Sequence, residues 1–244
     1  QKDAFRIQKI YSLFQVFLQV AKVILITLPI GVWAFMTLFI QEIQGDIAKV
    51  KQLSLFVTTI LIANLLQAFV ILPLLLKYKG ISPLYAFKSA SPALITAFFS
   101  KSSSATLPLT INCVTKDKKV SEKVAKFSLP MCSIINMNGC SAFILITVLF
   151  VASSAGIEFT LMDTILWIFI ATIAAVGNAS IPMGCYFLAS AFLTSMGVPL
   201  HLMGIILTVY VFIDMVETTL NVWSDTVVTR IIDKEVDHQK LAVE

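Results

Sequence analysis

The sequence predicts an all-α membrane protein in which two of the apolar segments turn back as opposed re-entrant helical hairpins. Three observations predict it. Of the 244 residues, 58% are hydrophobic and only 13% charged, with a mean hydropathy of +0.90, a composition suited to a bilayer. The charges are also segregated: no Asp, Glu, Lys or Arg occurs from Phe127 to Ile157, or from Thr164 to Ile213. Third, two apolar stretches are interrupted by polar, proline-containing tips, Lys101-Ser102-Ser103-Ser104-Ala105-Thr106-Leu107-Pro108 and Gly177-Asn178-Ala179-Ser180-Ile181-Pro182. Non-helical backbone at membrane depth survives only where protein buries it or a watery cavity hydrates it.

Residues 1–12, with Lys2, Arg6 and Lys9, read as an interfacial lead-in. Leu13 to Phe39 is long enough to span, with a kink expected at Pro29-Ile30-Gly31. A connection of mixed charge, 41–52, leads to Leu53–Leu76, a charge-free span with Pro73 near its end and Lys77-Tyr78-Lys79-Gly80 closing it. These two helices and the lead-in make one unit, 1–81, and 82–244 makes the core. In the core, the first hairpin covers 82–115, each arm too short to cross. The basic cluster Lys116, Lys118, Lys119, Lys123 and Lys126 follows. A broken helix, 120–151, contains Asn136-Met137-Asn138-Gly139 near mid-depth. Residues 152–163 connect it, with Glu158 and Asp163, to the second hairpin, 164–196. Gly197-Val198-Pro199 then turns the chain into the last helix, 200–232, and a tail, 233–244.

Basic connections (the lead-in, 77–79, 116–126 and the tail) alternate with mixed or acidic ones (41–52 and 152–163). The alternation is self-consistent if both broken segments are re-entrant, the first entering from the cytoplasm and the second from outside. Full crossings would put 116–126 and 77–79 on opposite sides. The lysines flank apolar segments and form no solvated basic face, which excludes nucleic acid as a partner. Cys113, Cys132, Cys140 and Cys185 show no paired spacing and are expected to be small buried apolar residues, neither disulfides nor metal ligands. His201 and His238 are too few and too distant for a metal cluster. The polar, charged first residues match no signal peptide, and the missing initial Met leaves room for an upstream part.

Two broken hydrophobic segments in matching halves point to the central site of a transporter. The last helix carries Asp214, Glu217, Asn221 and Asp225 at offsets that place all four on one stripe. Each ionised carboxylate at a helix centre costs about 2.5–3.5 kcal/mol on insertion scales, so the stripe needs compensation. Either Asp214 and Glu217 pair with Lys22 or Lys101 while Asp225 lies near the interface, or the stripe faces a substrate and cation cavity. The hydroxyls of Ser102, Ser103, Ser104 and Thr106, with free N–H groups at the start of the second arm, suit a carboxylate; single hydroxyls could instead bond back to their own helix. Asn136 and Asn138 offer carbonyl oxygens to a sodium ion or, equally, hydrogen bonds between helices. No Gly-x-Ser-Gly with a partnered His occurs, and Asp214 and Asp225 share one helix. An intramembrane protease, and an enzyme generally, is therefore not expected.

Lys101-Ser-Ser-Ser-Ala-Thr-Leu-Pro108, Asn136-Met-Asn-Gly139, and Asp214 with Asn221 and Asp225 resemble, in order and spacing, the dicarboxylate/amino acid:cation symporters, the glutamate transporter family. The resemblance runs from about residue 13 to 233 and covers the later part of the family's usual length. It implies a glutamate-transporter-like transport domain and a sodium- or proton-coupled amino acid/dicarboxylate symporter working by alternating access. It further implies a homotrimer in the cell (inner or plasma) membrane, multi-pass in the lipid bilayer, with sodium as coupling ion and no cofactor. Ser102, Ser103 and Ser104 would hold the substrate carboxylate and Asp214 its amino group. Cys140, Ile181, Pro182, Glu217, Thr218 and Asn221 would line the substrate, while Asn136, Asn138, Asn221 and Asp225 would coordinate sodium. The second hairpin, near Gly177 to Met183, would gate the outer side.

Three positions depart from the family pattern. Asn138 stands where an Asp is usual, Glu217 where acidic-substrate members place an arginine, and Ser180, Met183 and Cys185 where small residues are usual. Glu217 would repel an acidic substrate, so neutral amino acids are expected ahead of cationic ones. A proton on Glu217 could replace lost sodium coupling. The rival readings are a non-transporting relic or accessory membrane protein of the same fold, or a carrier of cationic or acidic amino acids.

Overall fold

The computed structural model describes residues 47–116, 120–178, 181 and 183–241, together with 29–38 and scattered positions ahead of 47; side chains of the last helix are described to Val236. The lead-in 1–12, Lys22, Lys118, Lys119, Ala179, Ser180 and Pro182 lie outside the described residues. The elements are α1 (Pro29–Leu38), α2 (Ile47–Leu66), a π-helical turn (Gln67–Ile71), α3 (Leu72–Tyr78), α4 (Pro83–Ser100), α5 (Ser103–Thr115), α6 (Glu122–Ile135), α7 (Asn138–Ser154), α8 (Leu161–Gly177), α9 (Gly184–Ser195) and α10 (His201–Leu241). Among the described residues there is no strand. Among the described residues three helical stretches, Val50–Tyr78, Glu122–Ser154 and His201–Val236, are long and apolar enough to cross a membrane.

Pro73 shapes the Val50–Tyr78 helix through the bond it cannot make. The Leu72 N–H reaches back to the Gln67 carbonyl, one residue further than in an α-helix. The Ala68 carbonyl is passed over by Leu72, and Pro73 has no N–H to offer it. The indole of Trp223 on α10 fills the vacancy, donating to the Ala68 oxygen at 3.1 Å. Trp223→Phe keeps the ring and removes that donor, leaving a carbonyl unsatisfied. It is expected to cost about 1–3 kcal/mol, read as a lower thermal midpoint of the detergent-solubilised full-length protein.

In the first broken segment a tight turn joins α4 to α5. Ser82 caps α4, its hydroxyl accepting from the Tyr85 N–H. Lys101 turns the chain at φ 53°, and Ser102 caps α5 through the Ala105 N–H at 3.2 Å. The arms pack together, with the Ser100 and Thr106 hydroxyls 3.2 Å apart. On α4, Ala86, Ala90, Ala93 and Ala97 are all fully buried; small side chains at this helical spacing let α4 lie close against α10.

The hairpin leaves and returns at one end of the bundle. There Lys79 bridges Glu235 at 2.7 Å, Lys234 donates to the Lys79 carbonyl, and the Ser121 N–H donates to Asp233 at 2.8 Å. Lys79 and Ser121 thus both meet the end of α10.

The second broken segment is built differently. A reciprocal Thr160–Asp163 capping box starts α8. Both α8 and α9 pack on α7, and Trp167 and Phe192 meet edge to face at 5.4 Å. Between α6 and α7 the backbone leaves the helix at Asn136 and Met137, where the asparagine-glycine motif predicts a break. The last helix continues beyond Ile232 to Leu241, through residues expected to form a tail. Its early part packs into an apolar core with Phe143, Ile144 and Ile60, and its later part into a second with Leu72, Ala90 and Leu94.

Candidate functional site

The α10 stripe is buried. Asp214, Glu217, Thr218, Asn221 and Asp225 are all inside, and Glu217 has no exposed surface. Both Glu217 carboxylate oxygens and Asp214 Oδ2 have no hydrogen-bond partner. Among the described residues neither acid forms an ion pair. No ion pair joins Lys101 to Asp214 among the described residues, and Lys22 lies outside them. Asp225 is 3% exposed, packed inside the protein.

Where α6 gives way to α7, one hydrogen-bonded network joins the break to α10. Asn136 Nδ2 donates to Asp225 Oδ1 and to Ser224 Oγ, each at 3.0 Å. Asn138 Nδ2 donates to the same Ser224 hydroxyl at 2.8 Å. The Gly139 N–H, freed by the break, donates to Asn221 Oδ1 at 2.8 Å. Asn136, Asn138, Asn221 and Asp225 are therefore brought together. Ser224, which the stripe spacing does not single out, holds both asparagines. Beside the break lies a cavity of about 320 Å³ lined by Gln67, Met137, Asn138, Ser141 and Thr172.

At the first tip, Ser103 is buried, Ser102 half-buried and Ser104 exposed. The Ser102 hydroxyl serves as a helix cap. Thr106 bonds back to the Ser102 carbonyl at 2.8 Å, the local bonding open to a single hydroxyl. At the second tip, Ile181 is half-buried and donates its N–H to the Asn178 carbonyl; Pro182 lies outside the described residues. Lys101 and Met183 are the two non-glycine residues with positive φ among those described, at 53° and 60°. A left-handed conformation costs an ordinary residue roughly 1–2 kcal/mol, and both instances sit at the tips of the broken segments.

Cysteine pairing departs from the sequence expectation. Cys113 and Cys132 are free and buried, as expected. Cys140 on α7 and Cys185 on α9 instead form a disulfide, with Cα atoms 5.5 Å apart, inside the range such a bond requires. Asn178 Nδ2 faces both sulfurs, at 3.8 and 3.4 Å, and Asn221 Nδ2 reaches Cys140 Sγ at 3.5 Å. A glycine at 184 makes room: a Cβ there would collide with the Asn178 side chain. Forty-five residues separate the two cysteines, and only the fold brings them together.

A family model described as the sodium:dicarboxylate symporter family matches residues 1–235. The chain belongs to that family. It is 30% identical over 217 residues to a Caenorhabditis elegans protein provisionally named sodium-dependent excitatory amino acid transporter glt-4, covering 88% of this chain and 44% of that protein. It is also 30% identical to excitatory amino acid transporter 1 of Ambystoma tigrinum over 231 residues and of Homo sapiens over 229, each match covering 93% of this chain and 42% of the relative. The chain therefore spans less than half the length of these relatives. Their names are those of transporters, not enzymes, and the apolar helices make this member a membrane protein.

Proposed function

We propose that the chain carries the substrate and cation sites of a sodium-coupled amino acid carrier of the plasma membrane, working by alternating access as a homotrimer. One observation carries this reading most of all: a buried, largely uncompensated acidic seam on α10 meets a broken helix rich in oxygen donors. Cations are what such a seam lacks. Asp214, with one oxygen unpartnered, takes the substrate ammonium, and the serines of the first tip take its carboxylate. Glu217, Thr218 and Cys140 face the substrate side chain from α10 and α7, and Ile181 closes over it from the second tip.

Asn136, Asn138, Asn221 and Asp225 supply hard oxygens, the donors a sodium ion takes. The amides of Asn136 and Asn138 now point nitrogen at Ser224 and Asp225. A half-turn of each amide presents Oδ1 in its place with no change of shape. Asn138 is neutral where the family pattern has a charged ligand, so Asn138→Asp is expected to raise apparent sodium affinity, read as the sodium dependence of uptake in proteoliposomes. Uptake indifferent to sodium in both proteins would remove this cation site.

The test of the whole reading is counterflow of radiolabelled amino acids in proteoliposomes holding the full-length protein, with Asp214→Asn beside it. A charge-assisted hydrogen bond is worth about 1.5–3 kcal/mol, so Asp214→Asn should weaken substrate about tenfold or more. Unchanged affinity would take Asp214 out of the site.

A non-transporting member of the fold is the second reading. It is favoured by the Cys140–Cys185 disulfide, which ties the second arm of the gating segment to α7. Absence of counterflow under reducing as well as oxidising conditions would establish it.

A further inference from the structure

We propose that, in the reduced protein, Cys140, Cys185 and Glu217 form a buried site for a thiophilic divalent cation of the zinc class, bridging α7, α9 and α10. The two sulfurs and a Glu217 carboxylate oxygen all lie within 4.8 Å of one another, contributed by three different helices. Glu217 is fully buried with both oxygens bare, and a buried carboxylate without partners is costly. A second buried residue, Asn178, turns its Nδ2 toward both sulfurs.

The chemistry selects the cation. Two thiolates favour a soft or borderline ion over sodium, magnesium or calcium, which take oxygen. Two thiolates and a carboxylate carry three negative charges, which call for a divalent ion and not a monovalent one. The N–H groups of Asn178 and Asn221 point at the sulfurs, the outer-shell donors that steady metal thiolates. This site shares Cys140 and Glu217 with the substrate contacts proposed above and, through an outer-shell donor, Asn221 with the sodium ligands; its test does not depend on transport.

The oxidised pair cannot serve, because its sulfurs are bonded to each other. A trialkylphosphine takes up the disulfide bond: water supplies the oxygen of the phosphine oxide and the protons of the two thiols. The thiols then turn apart about their Cα–Cβ bonds to admit an ion at about 2.3 Å from each sulfur. Each thiol releases its proton on binding.

The experiment is titration of the detergent-solubilised full-length protein with cadmium, before and after phosphine treatment, following the ultraviolet charge-transfer band of cadmium thiolate. The band should appear only after reduction and saturate at one cadmium per chain. It should be lost in Cys140→Ser and Cys185→Ser and kept in Cys113→Ser/Cys132→Ser. Glu217→Gln should keep the band with affinity lower by about tenfold or more. Thiol titration in denaturant, before and after phosphine, reports whether the pair has been reduced. A reduced wild-type protein without the band, a pair that resists reduction, or Glu217→Gln with unchanged affinity would each overturn the proposal; the wild-type comparison stands even where a variant fails to fold.

Discussion

Gly139→Ala is expected to destabilise the protein by several kcal/mol and to abolish uptake. A Cβ at residue 139 would lie 2.8 Å from Glu217 Cα and 3.0 Å from the Glu217 carbonyl oxygen. Both are backbone atoms in the middle of α10, so no side-chain rotation relieves the clash, and α7 must move away. Overpacking of this kind costs about 1–3 kcal/mol. Moving α7 also stretches the 2.8 Å bond from the Gly139 N–H to Asn221 and the 2.8 Å bond from Asn138 to Ser224. Each buried group left unsatisfied adds about 1–3 kcal/mol. Gly177→Ala is the control for stability, since a Cβ there meets nothing within 4 Å. Thermal unfolding of both variants in detergent checks the contrast. A Gly139→Ala protein as stable as Gly177→Ala would mean that α7 and α10 are not held at this distance.

The residues that were legible in the sequence are those whose signal is local. The polar, proline-containing tip at 101–108 interrupts an apolar run, and the backbone turns there. Asp214, Glu217, Asn221 and Asp225 share a face because helical geometry requires it, and polar residues stand out against an apolar helix. Asn136-Met137-Asn138-Gly139 breaks a helix for reasons contained in those four residues. Ser224 was not legible, because a lone serine in a membrane helix most often bonds to its own backbone. Only the placement of α6 against α10 turns it into the anchor of two asparagines. Asn178 and the Cys140–Cys185 pair depend on three helices meeting and leave no trace in spacing. The left-handed turns fall on Lys101 and Met183, residues that announce no such conformation, whereas glycine would have. At Pro73 the cause was visible but not its consequence, since the partner of the orphaned Ala68 carbonyl, Trp223, lies far along the chain.

Substrate charge is expected to turn on Glu217. One helical turn beyond Asp214 on the same buried face, it stands where acidic-substrate members of the family carry an arginine, and its Cα backs onto Gly139, with no room to withdraw. A substrate anchored by Asp214 at its ammonium would direct its side chain toward this carboxyl group. If Glu217 is ionised, a side-chain carboxylate meets a like charge, and such juxtaposition costs several kcal/mol. If Glu217 is protonated, it offers a single donor where an arginine offers a bidentate fork. In both states an acidic side chain would be disfavoured and a neutral one tolerated. Aspartate and glutamate are therefore expected to compete for uptake about a hundredfold more weakly than the best neutral amino acid. Cationic amino acids would fit only an ionised Glu217. In Glu217→Gln the acidic amino acids should gain on the neutral ones, because the repulsion is gone and an amide N–H takes its place. The measurement is competition by a panel of amino acids against labelled substrate, at mildly acidic and at neutral pH, for both proteins. Strong and selective competition by aspartate or glutamate in the unmodified protein would overturn the assignment and place Glu217 away from the substrate side chain.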